Sequence, residues 1–269
     1  MGQSSRKYID LIHSSSSKWA NWDPPQEIKV GDYGTINKKT GQFERESNVY
    51  EDPATADLAA QYPPIDDAQD DKFIISSFGV KYHEFKIEAG FEVAGLGEAS
   101  IKGQWEFGKK RGALLIMARP RARRFPPNVF LKQLIGTPTL EDKVLVTEVF
   151  SCPAYSLYLS GANQETISIA LVGGMPGSVP APTESGESVM TWWSRYASGV
   201  SREACDRAGR YCYTPLCSLR TKRKPSLFRR REGPRPEPEG DYLWVDPHDP
   251  WEVLDEDGEE EEFEDTVFD

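Results

Sequence analysis

The sequence is poor in the residues that catalysis and metal binding draw on. Its 269 residues include four cysteines and three histidines. Cys152, Cys205, Cys212 and Cys217 contain no C-x-x-C pair, which argues against a zinc site, and they are too few to staple a chain of this length. His13, His83 and His248 stand in no H-E-x-x-H arrangement, and there is neither a G-x-S-x-G elbow nor a phosphate-binding loop. Gly95-Leu96-Gly97 begins like a dinucleotide fingerprint, but the third glycine is missing and an alternating strand pattern follows instead of a helix. These absences set the expectation that the protein is not an enzyme and takes no cofactor and no metal. No run of 18 apolar residues is present, which excludes a transmembrane helix. The opening MGQSSRKYID lacks the apolar centre of a secretory signal, and Arg6 stands where a myristoylation pattern wants Ser or Thr. A reducing, cytoplasmic compartment is the expectation for the resting protein.

Charge of one sign is missing from two long stretches. Residues 109–132 contain no Asp or Glu, yet hold Lys109, Lys110, Arg111, Arg119, Arg121, Arg123, Arg124 and Lys132. From Glu237 to Asp269 there are 16 acidic residues and no Lys or Arg, so the net charge of −11 conceals a basic body and an acidic tail. Such a division points to an anionic partner for the body and an electrostatic role for the tail.

Hydropathy patterning gives the elements. Residues 4–13 read as a short helix, with Tyr8, Leu11 and Ile12 on one face. Strand 27–31, turns at 31–34 and in NKKTGQ, and a loop over 51–72 with one helical turn follow. From 73 to 118 the β signal dominates. In FKIEAGFEVAGLGEASIKGQWEF (85–107), Phe85, Ile87, Phe91 and Val93 alternate with polar residues, and after a Gly-Leu-Gly break Ile101, Trp105 and Phe107 do the same. Period two is the mark of a strand with one apolar face, and the glycines permit a reversal. ALLIMA (113–118) reads as a strand buried on both faces. A second, less clean pair is predicted over 144–172, with Leu157 and Leu159 on one arm and Ile167 and Ile169 on the other. Helices are predicted over 187–198, carrying Val189, Trp192, Trp193 and Tyr196, and near 201–212. Residues 219–240 are basic and Pro-rich, and 237–269 form an acidic low-complexity tail.

Strands of about 9–11 residues with apolar positions alternating against polar ones have the dimensions of transmembrane β-strands, provided several chains close a barrel. A half-buried soluble sheet shows the same period. KWANWDPPQEIK followed by VGDYGTINKKTGQFERESNVY (30–50) resembles the opening of the fungal gasdermin-like proteins of the regulator-of-cell-death and allorecognition group, and the similarity extends over roughly 4–215.

The resemblance implies an α+β fold of gasdermin N-terminal type, with a twisted antiparallel sheet, flanking helices and two hairpin regions that become membrane-spanning strands of an oligomeric β-barrel. Residues 1–220 would be the pore-forming domain, and 221–269 a basic, Pro-rich linker and an acidic tail, disordered or inhibitory. The headgroup set would be Lys7, Lys109, Lys110, Arg111, Arg119, Arg121, Arg123 and Arg124. The inserting set would be Phe85, Ile87, Phe91, Val93, Ile101, Trp105, Phe107, Leu157, Leu159, Ile167 and Ile169. Implied partners are an acidic phospholipid membrane and further copies of the chain or of an allelic variant. An activating protease is a further implied partner, with Phe228, Arg229, Arg230 and Arg231 as the exposed segment. Nucleic acid is not among them. The active form would sit at the plasma membrane or another cell membrane. Trp244, Trp251 and Phe263 would anchor an inhibitory tail. Three competing readings are a nucleic-acid-binding module using Trp105, Phe107 and Phe125 as stacking platforms, an enzyme with a dispersed active site, and a noncatalytic soluble interaction domain.

Overall fold

The computed structural model describes residues 2–85, 99–126, 129–161, 164–172, 190–196, 198–223 and 244–261. The chain opens with α1 (Gly2–Ser16), then β1 (Trp19–Ala20), β2 (Asp32–Ile36), β3 (Phe43–Asn48) and the single turn α2 (Ala56–Ala59). Strands β4 (Ile65–Gln69), β5 (Lys72–Ser76), β6 (Lys81–His83), β7 (Ile101–Phe107), β8 (Ala113–Ala118) and β9 (Arg121–Arg124) follow, then α3 (Val129–Leu134). The rest is strand: β10 (Val144–Cys152), β11 (Ala154–Leu159), β12 (Glu165–Val172), β13 (Thr191–Arg195), β14 (Val200–Cys205), β15 (Tyr213–Lys222) and β16 (Trp244–Val245). The fold is mostly antiparallel sheet with few helices, of α+β character.

Three sheets are stacked. The largest carries the order β1-β15-β10-β2-β3, with β16 on β15 and the β9–β4 pair on β10. A middle sheet has the order β14-β11-β8-β5, and a third has the order β13-β12-β7-β6. The last two orders match strand for strand. Strand β5 runs on into β6 through 77–80, β7 into β8 through 108–112, β11 into β12 through 160–164, and β13 into β14 through 196–199. Four long strands are therefore doubled over along a common line, and the third sheet is their folded-back half. Glycine is needed at the fold line. A Cβ on Gly199 would lie 2.2 Å from the carbonyl oxygen of Leu159, and one on Gly112 would lie 2.7 Å from the Phe107 ring.

Two cores result. Tyr8, Ile9 and Ile12 of α1 pack with Leu115, Met117, Tyr155, Leu157 and Leu159 of the middle sheet and with the inner face of the largest sheet. Ile101, Trp105 and Phe107 of β7 and Ile167, Ile169 and Leu171 of β12 pack against Leu114, Ile116 and Tyr158 on the other face of the middle sheet. The middle sheet is thus apolar on both faces, which is why ALLIMA runs without alternation.

Several expectations are corrected. Residues 27–30 are not a strand; the strand begins at Asp32. The 51–72 segment contains β4 as well as a helical turn. The 187–198 region is not helical where described: 191–195 form β13, because β12 offers a partner edge along which Trp192 and Trp193 fall on opposite faces. The second expected helix is β14, paired with β11, followed by a turn. The expected second hairpin does not exist as drawn. Strand β10 lies in the largest sheet, β11 pairs with β8 and β14, and β12 pairs with β7 and β13. Pairing instead joins β11 with β14 and β12 with β13, so the second long strand pair sets 154–159 against 200–205 and 168–172 against 191–195.

Candidate membrane interface and its cover

The apolar positions of β7 point inward as the alternation predicts. Ile101, Trp105 and Phe107 are shut against the middle sheet, while Lys102 is exposed and Gln104 and Glu106 are partly so. Ile167 and Ile169 join them. Leu157 and Leu159 do not: they face the first core on the other side of the middle sheet. Phe85 also leaves the set. The β6–β7 register, extended two residues beyond His83–Gln104, puts Phe85 opposite the outward Lys102. Its ring meets Trp193 at 5.5 Å, beside Ala170 and Val172, on the outer face. Ile87, Phe91 and Val93 lie outside the described residues. Trp105, Phe107 and Phe125 are all buried, so none is available as a stacking platform for bases.

Hydrogen bonds stitch the fold line sideways. The Ser77 N–H donates to the Ala113 carbonyl (2.9 Å), and the Ala113 N–H donates to Ser77 Oγ (2.9 Å). The Ser160 N–H donates to the Gly112 carbonyl (2.8 Å), and the Gly112 N–H donates to Ser160 Oγ (2.7 Å). At the other end the buried Glu165 carboxylate collects donors from Tyr158 Oη (2.9 Å), Gly161 N (2.9 Å), Ser198 N (3.1 Å) and Ser198 Oγ (2.9 Å). Tyr158 Oη in turn accepts from the Gly199 N–H (2.9 Å). Burial, then the bond to Glu165, raises the Tyr158 phenol well above its ordinary pKa. No spacing in the sequence marked Ser77, Ser160 or Glu165, because the partners of each arrive from other strands.

The eight expected headgroup cations do not form one patch. Arg111 precedes β8 and Arg119 follows it, so an extended strand sets them roughly 25 Å apart. Arg121, Arg123 and Arg124 lie on β9, where the acidic strand β4 pairs with them. Arg123 bridges to Asp66 (3.4 Å) and Arg124 to Asp67 (2.9 Å), while Arg121 stacks on Tyr211 at 4.1 Å. Arg119 is half-buried at φ 46°, and its buried Nε has no partner among the described residues.

Lys7, Arg6 and Arg111 are covered by the acidic tail. Its described part, 244–261, is not a free strand. Val245 and Trp244 pair with Thr221 and Lys222, and the Trp244 indole donates to the Leu131 carbonyl (2.8 Å). Asp249 meets His13 (3.0 Å); Trp251 packs on Trp19 at 5.8 Å and donates to Asp10 Oδ1 (3.1 Å). Lys7 Nζ donates to the Leu254 carbonyl (2.9 Å). Arg6 donates to the Gly258 carbonyl through Nε (2.8 Å) and pairs with Glu259 (3.1 Å) and Glu260 (3.5 Å). The Arg111 N–H donates to Glu256 Oε2 (2.6 Å), and its guanidinium donates to the Glu256 carbonyl (3.2 Å). Gly258 sits at φ +87°, where an added Cβ would lie 2.6 Å from the Gln3 carbonyl, so the tail and α1 touch backbone to backbone. Asp255 holds this turn by accepting from the N–H groups of Glu259 and Asp257, bonds that depress its pKa. Phe263 and the segment Phe228, Arg229, Arg230 and Arg231 lie outside the described residues.

Lys109 and Lys110 remain. Both are exposed and make no ion pair among the described residues. No cluster of His, Cys, Asp and Glu among the described residues is arranged to hold a metal ion. A scan against protein families and a search of curated proteins each find no match.

Proposed function

We propose that this chain is a membrane-permeabilising protein of the gasdermin-like kind, which binds acidic phospholipid, assembles with further copies and inserts hairpins to execute regulated cell death. The observation that carries the reading is the doubled-over sheet. Two long strand pairs, β5–β6 against β7–β8 and β11–β12 against β13–β14, hold a half-sheet whose apolar face is hidden and whose other face is polar along β7. That is what a strand needs if it is to face lipid on one side and water on the other.

Magnitudes favour opening on a bilayer over opening in water. Uncovering Ile101, Trp105, Phe107, Ile167, Ile169 and Leu171 to water costs about 1.5–3 kcal/mol each, or roughly 10–20 kcal/mol together. That matches or exceeds the whole stability of a typical domain, so hydrocarbon must take the place of the second core as the sheet swings out. The tail provides the restraint. It occupies Lys7, Arg6 and Arg111, the cations of α1 and of the β7–β8 crossover, and residues 244–261 must leave before these reach headgroups.

Dye release from vesicles tests this. Protein lacking 244–269 is expected to empty vesicles rich in phosphatidylserine and to spare phosphatidylcholine vesicles, with the full chain far less active. Absence of release from any vesicle by the shortened, folded protein overturns the reading.

A further inference from the structure

One edge of the fold line is exposed in a way that packing does not explain. The crossovers 77–80 and 108–112 lie side by side, joined by the paired bonds between Ser77 and Ala113, and Val80 touches Gly112. From the first crossover Phe78 projects into solvent with 81% of its surface exposed, at a turn set by Gly79 at φ +85°. Among the described large apolar residues that the structure leaves exposed, Phe78 is the most open, and Tyr82, four residues on, is 59% exposed with its ring edge-on to Trp105 at 5.7 Å. Lys81 begins β6, Lys109 and Lys110 belong to the adjoining crossover, and all three are exposed. The acids facing this group are few. Glu106 lies 3.8 Å from Lys81 and is shared with His83 (3.0 Å), Glu84 is exposed nearby, and Glu256 is engaged by Arg111.

An exposed aromatic tip beside a crossover that carries exposed lysines suits the boundary between water and an anionic bilayer. The ring enters the headgroup layer, the lysine stems run along it, and the ammonium groups meet lipid phosphates and carboxylates. We propose that Phe78, Tyr82, Lys81, Lys109 and Lys110 form a docking edge that seats the closed protein on an anionic membrane while the tail is still in place. The proposal rests on the membrane reading above and adds an order of events to it. The tail covers Lys7, Arg6 and Arg111, and no hydrogen bond or ion pair joins its described residues to the five of this edge, so recruitment and permeabilisation are separable steps.

Co-sedimentation of the full chain with vesicles tests the edge. Full-length protein is expected to bind phosphatidylserine vesicles, to ignore phosphatidylcholine vesicles and to leave both intact. Phe78→Ala weakens binding about 10–100-fold, the loss expected for one buried aromatic side chain. Lys109→Gln with Lys110→Gln weakens it about 30-fold, at roughly tenfold or less per lysine and more steeply at low salt. Neither variant shifts the melting temperature, because all three side chains are exposed. Failure of the full chain to bind anionic vesicles, equal binding to neutral ones, or binding unchanged by these substitutions overturns the proposal. The two readings fail separately. Phe78-dependent binding with no dye release from the tail-less protein sinks the pore and keeps the edge. Dye release from the tail-less protein, together with full-chain binding that Phe78→Ala, Lys109→Gln and Lys110→Gln leave untouched, keeps the pore and sinks the edge.

Discussion

The middle sheet and the folded-back sheet are two halves of the same four strands, yet they are built to opposite rules. In the middle sheet β8 and β11 are buried at every position, with Leu115 and Leu157 turned to one core and Leu114 and Tyr158 to the other. In the folded-back sheet β7 alternates strictly, apolar inward and polar or charged outward. A strand that is apolar on both sides has no face to offer water and must stay inside a body. One that is apolar on a single side can exchange a protein core for lipid while its other face stays wet. On the proposed reading, the difference puts an inserting part in the β7 half of the first hairpin and removes Leu157 and Leu159 from the lipid-facing set, whereas β12 meets the same rule only up to Ser168, because Ala170 and Val172 are buried beside Phe85 and Trp193 on its outer face.

The strongest way to break that division is to weaken each half by the same chemistry. Leu157→Ala and Ile169→Ala both truncate fully buried side chains, at a cost of about 2–5 kcal/mol each. If the halves separate as argued, Leu157→Ala lowers amide-exchange protection throughout the domain. Ile169→Ala lowers it chiefly in β7, β12 and β13, through an opening that leaves the middle sheet closed. Uniform loss in both variants would mean that the two sheets open only together.

A smaller effect is expected at the fold line. Glu165→Ala leaves Tyr158 Oη and Ser198 Oγ without their acceptor, and orphaned buried donors cost about 1–3 kcal/mol. The loss falls on the second hairpin, where Glu165 joins the crossovers 160–164 and 196–199. Protection of β12 and β13 should drop while that of β5 and β8 holds, and tail-less protein should release dye faster. Unchanged exchange in β12 would show that apolar packing alone keeps the sheet folded back.

Much of the local structure was legible in the residues. The alternation of IKGQWEF and the unbroken run of ALLIMA gave both the strands and their different burial, and the helical face of α1 was found, although Ile9 belongs to it as well. What failed was pairing. Period two says which side of a strand is apolar but not which strand lies beside it, so the pattern of 144–172 fits a hairpin although its three strands enter three sheets. Trp192 and Trp193 fitted a helical face as readily as two sides of a strand, and the edge of β12 decided between them. The basic run is continuous only along the chain. In space, β8 separates its two ends, and β4 and the tail each neutralise a different part.

The least perturbing test sits on the far side of the middle sheet from the folded-back half, at the contact between α1 and the tail. Asp10 accepts from the Trp251 indole, and burial raises its pKa. The Trp251 bond, Lys7 and His13 act to lower it, while Asp249 acts to raise it further. A carboxyl raised on folding favours the protonated form. Its contribution to stability is therefore complete below the unfolded value of about 3.9 and is lost as pH rises through the folded value. Asp255 has the opposite sense. The Glu259 N–H bond holds its pKa down, so its contribution is present above about 3.9 and is lost as pH falls through the depressed value. The tail contact should be firmest where these windows meet, near pH 4. Asp10→Asn keeps a carbonyl acceptor for Trp251 without a charge to bury. Its melting temperature is expected to exceed that of the unmodified protein at pH 7, with the gap closing as pH falls toward 4. A gap that stays constant over that interval would show that Asp10 is already uncharged at neutral pH or reaches water freely. A gap that appears in the exchange of β12 as well as in that of 251–261 would show that the tail and the folded-back sheet are coupled through the middle sheet, and not independent as their separate cores imply.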